Sequence, residues 1–381
     1  MSRFSLFFLF GLTTAFGSAQ PADPAPAPVP ETSPILKALP AEGDPNAPST
    51  LAPATASLDG PLPSAEGKPA GDDAVRLQIF LDQNHFGPGV VDGKPGRFTE
   101  LAVLAWNEVN GHPSDDWHAV MDAARKAVPN PLATAVVPEA VKDWVDPSLP
   151  TARSAQAKKK KMAYRSIAEF MSERYHCDVP YLIELNGAKK IYGLKARDSI
   201  VVPNITPFHV EALVETKFEA DPSMSARHVV VDTKINQVRI FEATPVALVV
   251  ADPENPNASP VPRRGNKGLV ASFPITPGKP QFIKFGTWEL KNMVVLPWWR
   301  YDESLLKTGK RSSNALMIPA GPNSPVGVIW CGTSRSGIGM HGTSDPETIG
   351  RARSAGCIRL ANWDAIRLPN IIRPGSTVEI R

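Results

Sequence analysis

The stretch HGTSDPETIGRARSAGCIRL, residues 341–360, decides the reading of this chain, because it sets His341 sixteen positions before Cys357 and puts Gly356 directly ahead of the thiol. A free cysteine with a pKa near about 8.5 is only a few per cent thiolate at neutral pH, so it needs a base to become a strong nucleophile. An imidazole brought into contact supplies one. A glycine before the thiol lets the backbone turn tightly, so that main-chain N–H groups can converge on the oxyanion of a tetrahedral intermediate. Nucleophile, base and glycine turn together point to acyl transfer. In isolation, the same residues also fit a small buried cysteine and a satisfied loop histidine.

The order His, a gap of more than a dozen residues, then Ser354-Ala355-Gly356-Cys357-Ile358-Arg359 resembles the signature of the L,D-transpeptidase family with its YkuD-type catalytic domain. Ala355 stands where that family usually carries a second histidine, which is not its general base. The order of features from about His228 to Arg381 is similar as well. HVVVDTKINQVRIFEA reads as a hairpin, and FPITPGKPQFIKFGTWEL, Trp298-Trp299, PAGPNSPVG, the His341 loop and a closing GSTVEI follow. Other cysteine acyl-transfer enzymes fit less well, since NlpC/P60-type peptidases place Cys before His and sortases use a much longer gap.

The resemblance implies a mainly β catalytic domain, a sandwich or barrel, over 226–381, acting on peptidoglycan stem peptides without cofactor or metal. Cys357 would be the nucleophile and His341 the general base and acid. The Gly342 carbonyl would orient the imidazole, and the Gly356 backbone N–H would serve the oxyanion. Arg359, Ser354, Arg353 and Trp299 are the candidate substrate-binding residues. Trp298 and Trp299 can equally join the core, the commoner fate of tryptophan, and Arg351 and Arg353 can equally be solvated loop charges. Hydrolysis by the same site, as an L,D-carboxypeptidase, and a non-catalytic wall-binding role stay open, because the named residues serve the first and Ala355 is compatible with the second.

With 381 residues and 42% hydrophobic composition the chain can bury a sizeable core, and its net charge of +3 makes no case for nucleic acid. Arg3, the apolar run Phe4 to Phe16 and Gly17-Ser18-Ala19 read as a secretory signal over 1–19 rather than a permanent membrane anchor, because spanning takes about 20 apolar residues. Export to the periplasm or cell wall is the expected address. Of the three cysteines, Cys331 sits in the apolar run Val328-Ile329-Trp330-Cys331 and reads as core. Cys177 adjoins His176, yet no second ligand cluster is spaced to complete a zinc site.

Residues 20–73, dominated by Pro and Ala, read as a spacer, and 128–162, ending in Lys158 to Lys161, as a second solvated linker. Between them, Leu77, Phe80 and Leu81 share one helical face and Leu101, Leu104 and Ala105 another. With the turn-rich HFGPGVVDGKPGRFT between them, 74–127 resembles a small helical peptidoglycan-binding-like domain, with Asn107 replacing the usual glutamine. Over 163–206, Ser166 and Glu169 form a capping box, Asp178 and Pro180 open a second short helix, and Ser199 to Val202 reads as a strand. This α+β order resembles a LysM module lacking its opening Gly-Asp-Ser/Thr element, and implies glycan as a further partner. The C-terminal part predicts short strands at Val229 to Asp232, Val238 to Phe241, Val246 to Val250, Leu269 to Phe273, Trp288 to Leu290, Val326 to Trp330 and Thr377 to Ile380, with one helix near Trp363 to Leu368.

Overall fold

Leu77, Ile79 and Leu81 are buried along α1 (Gly71–Gln83), which packs against α2 (Arg97–Asn110) and α3 (Trp117–Ala127). Gly111 ends α2 in the left-handed region at φ 74°, and Asp116 caps α3 by accepting from the Ala119 N–H at 2.9 Å. The computed structural model describes residues 67–242, 268–279, 282–304, 311–351 and 356–381. The signal-like run, most of the Pro/Ala-rich segment, the strand expected at Val246 to Val250, and the residues Arg353, Ser354 and Ala355 lie outside the described residues.

Residues 128–162 are not the solvated linker expected of them. They contribute β1 (Leu132–Val136), which pairs antiparallel with β2 (Ser199–Pro203), and the short helices α4 (Val141–Trp144) and α5 (Arg153–Gln156). The cause is alternation: Ala135 and Val137 are buried while Thr134 and Val136 face outward. Lys161 is not simply solvated either, since its ammonium lies 4.2 Å from the centre of the Trp144 ring. Between β1 and β2 in this unit lie α6 (Ile167–Arg174), α7 (Val179–Asn186) and α8 (Ala188–Tyr192). Ser166 caps α6 through the Glu169 N–H at 3.0 Å, and the Glu169 carboxylate returns to the Arg165 N–H. Asp178 caps α7 through the Tyr181 N–H at 2.8 Å.

The C-terminal part is mainly β. Its strands are β3 (Thr216–Lys217), β4 (His228–Asp232), β5 (Gln237–Phe241), β6 (Leu269–Pro274), β7 (Gly286–Val295), β8 (Trp299–Tyr301), β9 (Leu316–Ile318), β10 (Ile329–Thr333), β11 (Gly339–His341), β12 (Ile358–Arg359) and β13 (Thr377–Ile380). One sheet runs in the order β12-β11-β10-β7-β13-β4-β5-β6, with β3 added to β7, while β8 and β9 form a separate hairpin. Just past β6, Thr276 exchanges backbone hydrogen bonds of 2.9 and 3.0 Å with Arg359 of β12. The two ends of the strand order therefore meet.

Three expected elements differ in extent, the first being the strand expected at Trp288 to Leu290, which runs from Gly286 to Val295 as β7. β10 begins at Ile329 rather than Val326, because the chain is still turning at Gly327 with φ 60°. The helix after Cys357 is one turn, α9 (Asn362–Ala365), followed by a tight turn at Leu368–Asn370.

Val229, Val231, Val238 and Ile240 face one core with Met293, Cys331, Met340 and Ile358. The alternate residues Val230 and Phe241 face a second core, shared with Leu269, Val328 and Trp363, that also contains Leu77 and Ile79 of α1 and Phe170 and Met171 of α6. β4 is thus buried on both faces. A single apolar core runs from the N-terminal helices through the 132–210 unit onto the outside of the sheet.

Candidate active site

β11 lies between β10 and β12, antiparallel to the first with Trp330 opposite His341, and parallel to the second with Met340 opposite Ile358 and His341 opposite Arg359. Met340 and Ile358 point into the core. Strand alternation then sends His341 and Arg359 to the other face, on neighbouring strands, and Cys357 directly precedes β12.

His341 is buried, and its Nδ1 lies 2.6 Å from the Gly342 carbonyl oxygen. A carbonyl only accepts, so this contact places the proton on Nδ1 and leaves the Nε2 lone pair available. The imidazole stacks on Trp330 with ring centres 5.6 Å apart at 19°. Glycine at 339 makes room for that indole, because a Cβ there would lie 2.7 Å from the Trp330 ring. The Leu360 N–H donates to the His341 carbonyl at 2.8 Å, holding the backbone on its β12 side. Burial pushes the His341 pKa down to about 4, opposed by the Gly342 hydrogen bond and assisted by the Arg359 guanidinium.

Cys357 is half-buried, and its thiol donates to the Gly337 carbonyl at 3.4 Å. Burial pushes it up to about 11, while the Gly339 backbone and Arg359 pull the other way. At neutral pH the two groups are therefore imidazole and thiol, not an ion pair. Gly356 holds φ 121°, a conformation that favours glycine, and Gly278 approaches so closely that a Cβ on it would sit 2.5 Å from the Gly356 Cα. The segment around Thr276 to Gly278 thus backs the turn that presents the thiol. The Thr276 hydroxyl also accepts from the Gly350 N–H at 2.8 Å, tying the His341–Cys357 loop to it.

Behind Gly342 sits Asn362, fully buried, whose Oδ1 accepts from the Val328 N–H at 3.1 Å and whose Nδ2 donates to Pro322 O at 3.2 Å. A Cβ at Gly342 would lie 2.0 Å from that Oδ1, and one at Gly327 2.1 Å. The Asn362 amide therefore fills the space that two glycines leave.

Of the residues singled out in the sequence, the structure gathers His341, Gly342, Gly356, Cys357 and Arg359. Arg359 is half-buried, and its Nε has no hydrogen-bond partner among the described residues. Trp299 stands apart in the β8–β9 hairpin, half-buried, with its ring 5.4 Å from Tyr301 and the Arg153 guanidinium 5.5 Å from its centre. Its neighbour Trp298 is 53% exposed, and Arg351 is exposed. Arg353 and Ser354 lie outside the described residues. Cys177 and Cys331 are buried, and His176 turns to Asp82 at 3.2 Å. Among the described residues no group of three His, Cys, Asp or Glu side chains could hold a metal ion, and no helix is long and apolar enough to cross a membrane.

Sequence reasoning missed Trp330, the Gly337-Ile338-Gly339 loop, Gly278, Asn362 and Arg153. Two of these had a signal. Once Cys331 is assigned to the core, Trp330 must face the other side, beside whatever the adjacent strand presents. A Gly-x-Gly run two residues before the histidine marks a close backbone approach.

Residues 249–380 match the L,D-transpeptidase catalytic domain family, YkuD. YkuD of Bacillus subtilis, a candidate L,D-transpeptidase by name, is 44% identical over 59 residues, which is 16% of this chain and 36% of that protein. YqjB of the same organism, named likewise, is 36% identical over 64 residues, again 16% of this chain and 36% of the relative. The chain thus spans about a third of the length of the curated relatives it matches. Similar solved structures include an L,D-transpeptidase from Mycobacterium smegmatis, at 13% identity and TM-score 0.29, covering 41% of this chain and 58% of that one. L,D-transpeptidase 1 of Mycobacterium tuberculosis aligns at 15% identity and TM-score 0.26, covering 41% of this chain and 61% of that one.

Proposed function

We propose that this protein is a peptidoglycan L,D-transpeptidase that forms 3→3 cross-links through a thioester on Cys357, with His341 as general base and acid. The observation that carries the reading is the His341 Nδ1 to Gly342 carbonyl contact of 2.6 Å, because it leaves Nε2 unprotonated on the strand paired with β12, which Cys357 directly precedes. The family match over 249–380 supports the substrate class.

In the first half-reaction, Sγ attacks the carbonyl that joins the third, L-centred residue of a stem peptide to its terminal D-alanine. The thiol proton passes to His341 Nε2 as the C–S bond forms. Collapse of the tetrahedral intermediate breaks the C–N bond, and His341 returns the proton to the leaving D-alanine amine. In the second, an amine from a neighbouring stem attacks the thioester, loses its proton to the same imidazole and regenerates the thiol. Backbone N–H groups of Gly356 and Cys357 would hold the oxyanion in both steps. Arg359, Arg353, Ser354 and Trp299 are the candidate contacts to the stem, Arg359 on the catalytic face. A neutral thiol and imidazole fit a mechanism in which the proton moves as the bond forms.

The wall substrate places the protein outside the cytoplasm, as a secretory signal over 1–19 would provide. On this reading the 74–127 and 163–206 units lie beside a glycan-bearing polymer. The deciding experiment incubates purified protein with tetrapeptide muropeptides and identifies products by mass. Cross-linked dimers with released D-alanine are expected. Shortened monomers alone would make the protein an L,D-carboxypeptidase, and unchanged substrate would leave only a wall-binding role.

A further inference from the structure

We propose that Glu173, contributed by the 163–206 unit and not by the catalytic domain, is a positioning residue for His341, acting through Asn362 and Gly342. This deepens the functional reading above and rests on it for its kinetic arm only.

Glu173 lies near the end of α6 and is 4% exposed, yet its Oε1 has no hydrogen-bond partner among the described residues. A buried carboxyl with an unmatched oxygen carries a desolvation cost that packing alone does not explain. Its polar neighbours are the Tyr164 hydroxyl and the Asn362 amide, with Glu169 of its own helix and Glu347 of the His341–Cys357 loop as the facing charges. Burial pushes its pKa up to about 8; Glu169 and Glu347 act the same way, and Asn362 and Tyr164 oppose. At neutral pH it is therefore mostly the uncharged acid.

The consequence for the active site follows from the chemistry of the amide. Asn362 must keep Oδ1 toward the Val328 N–H and Nδ2 toward Pro322 O, because a flipped amide would set donor against donor and acceptor against acceptor. The Glu173 carboxyl, the acidic partner of that amide, favours the orientation in which Asn362 donates to it. The Oδ1 so fixed occupies the space a Gly342 Cβ would fill, and Gly342 supplies the carbonyl that orients the His341 imidazole. A neighbouring contact from the same unit supports the geometry: His176 stacks on Trp363, the residue after Asn362, at 5.3 Å and 9°. The unit that resembles a glycan-binding module thus reaches the catalytic base through three consecutive contacts.

The test compares wild type with Glu173→Ala and Glu173→Gln in the full chain, by two readouts. The first is the His341 imidazole N–H resonance in the NMR spectrum, assigned by its loss in His341→Ala. The second is the rate of Cys357 acylation by a carbapenem, followed by intact mass across pH 6 to 9. Glu173→Ala should shift the His341 resonance and slow acylation by roughly 10- to 100-fold, the scale of a small misplacement of a catalytic group. Glu173→Gln keeps a carbonyl for Asn362 without titrating, so it should restore the wild-type resonance. It should also remove the step near pH 8 that Glu173 ionisation is expected to add to the wild-type rate profile, since a carboxylate accepts from the Asn362 amide more strongly than the acid does. An unmoved resonance with a wild-type rate in Glu173→Ala overturns the proposal, as do identical pH profiles for wild type and Glu173→Gln should the alanine variant fail to fold. A wild-type chain that is never acylated counts against the transpeptidase reading, while the resonance still reports on Glu173.

Discussion

Cys357, Cys331 and Cys177 differ in what surrounds each sulfur, and that difference makes a prediction. Burial raises the thiol pKa at all three, but Cys331 has no opposing influence, whereas Cys357 has the Gly339 backbone and Arg359 and is only half-buried. A carbapenem should therefore acylate Cys357 alone in the folded protein, and peptide mapping that finds adducts on Cys331 or Cys177 would move the nucleophile elsewhere. Cys357→Ala should abolish muropeptide turnover, and His341→Ala should lower it by about 100-fold or more. The pKa directions add a signed test. With its thiol near 11, Cys357 should be alkylated by iodoacetamide at a rate that keeps climbing from pH 7 to pH 10, without the plateau of a thiolate–imidazolium pair. Arg359 lowers both pKa values, so Arg359→Gln should slow that alkylation at pH 8 and raise the pH at which His341 protonates. A plateau below pH 8 in wild type would show that the pair is charged at rest.

At the scale of elements, the presentation of the thiol depends on two glycines from distant segments. Gly278 and Gly356 approach so closely that Gly278→Ala must push β12 away or distort the turn. The expected result is a loss of roughly 1–3 kcal/mol of stability and slower acylation of Cys357, read by thermal melting and intact mass. Unchanged melting and labelling would mean that the loop yields freely. The hairpin of β4 and β5, the capped helices α6 and α7 and the His–Gly–Cys stretch were legible because each is local: alternation, a capping box, a turn glycine. Three features were not. Residues 128–162 looked like linker, since the five-residue β1 is bracketed by Pro and Lys and finds its partner β2 some sixty residues later. The Thr276–Arg359 bridge and the seat of Asn362 between Gly327 and Gly342 are contacts between distant segments, and a single sequence carries no local sign of such pairs. Gly342 itself could be named only through the resemblance, which specifies a carbonyl after the histidine without saying what holds that carbonyl.

At the scale of the described body, the small units share one apolar core with the β sheet rather than being strung beside it. Asp82 of α1, fully buried, receives the Arg367 guanidinium on Oδ2 at 2.5 Å and on Oδ1 at 3.1 Å, and His176 approaches both oxygens at 3.2 Å. Three segments far apart in sequence meet on one carboxylate. Together with the shared core, this predicts one cooperative thermal transition for the described body. Asp82→Asn should cost about 3–5 kcal/mol, because it removes the buried carboxylate that Arg367 and His176 share and leaves Arg367 with Asp364, at 3.3 Å, as its remaining carboxyl contact. The pH dependence follows with one sign from Asp82 and the opposite sign from Glu173 and Asp364, the last raised by burial to about 8. Burial raises the Asp82 pKa, but Arg367 and His176 more than offset this and hold it below its unfolded value, so its contribution is present above about pH 4 and is lost as pH falls through the folded pKa. Glu173 is raised from 4.5 to about 8, so the unfolded chain releases that proton first and stability declines as pH rises between those values. Thermal midpoints should therefore peak in mildly acidic buffer and fall on both sides. Glu173→Gln should reduce the alkaline decline, Asp364 supplying the remainder, and leave the acid side intact, whereas Asp82→Asn should flatten the acid side. Two separate transitions in wild type would show that the 163–206 unit melts apart from the β sheet, and an alkaline decline unchanged by Glu173→Gln would assign it to Asp364 instead.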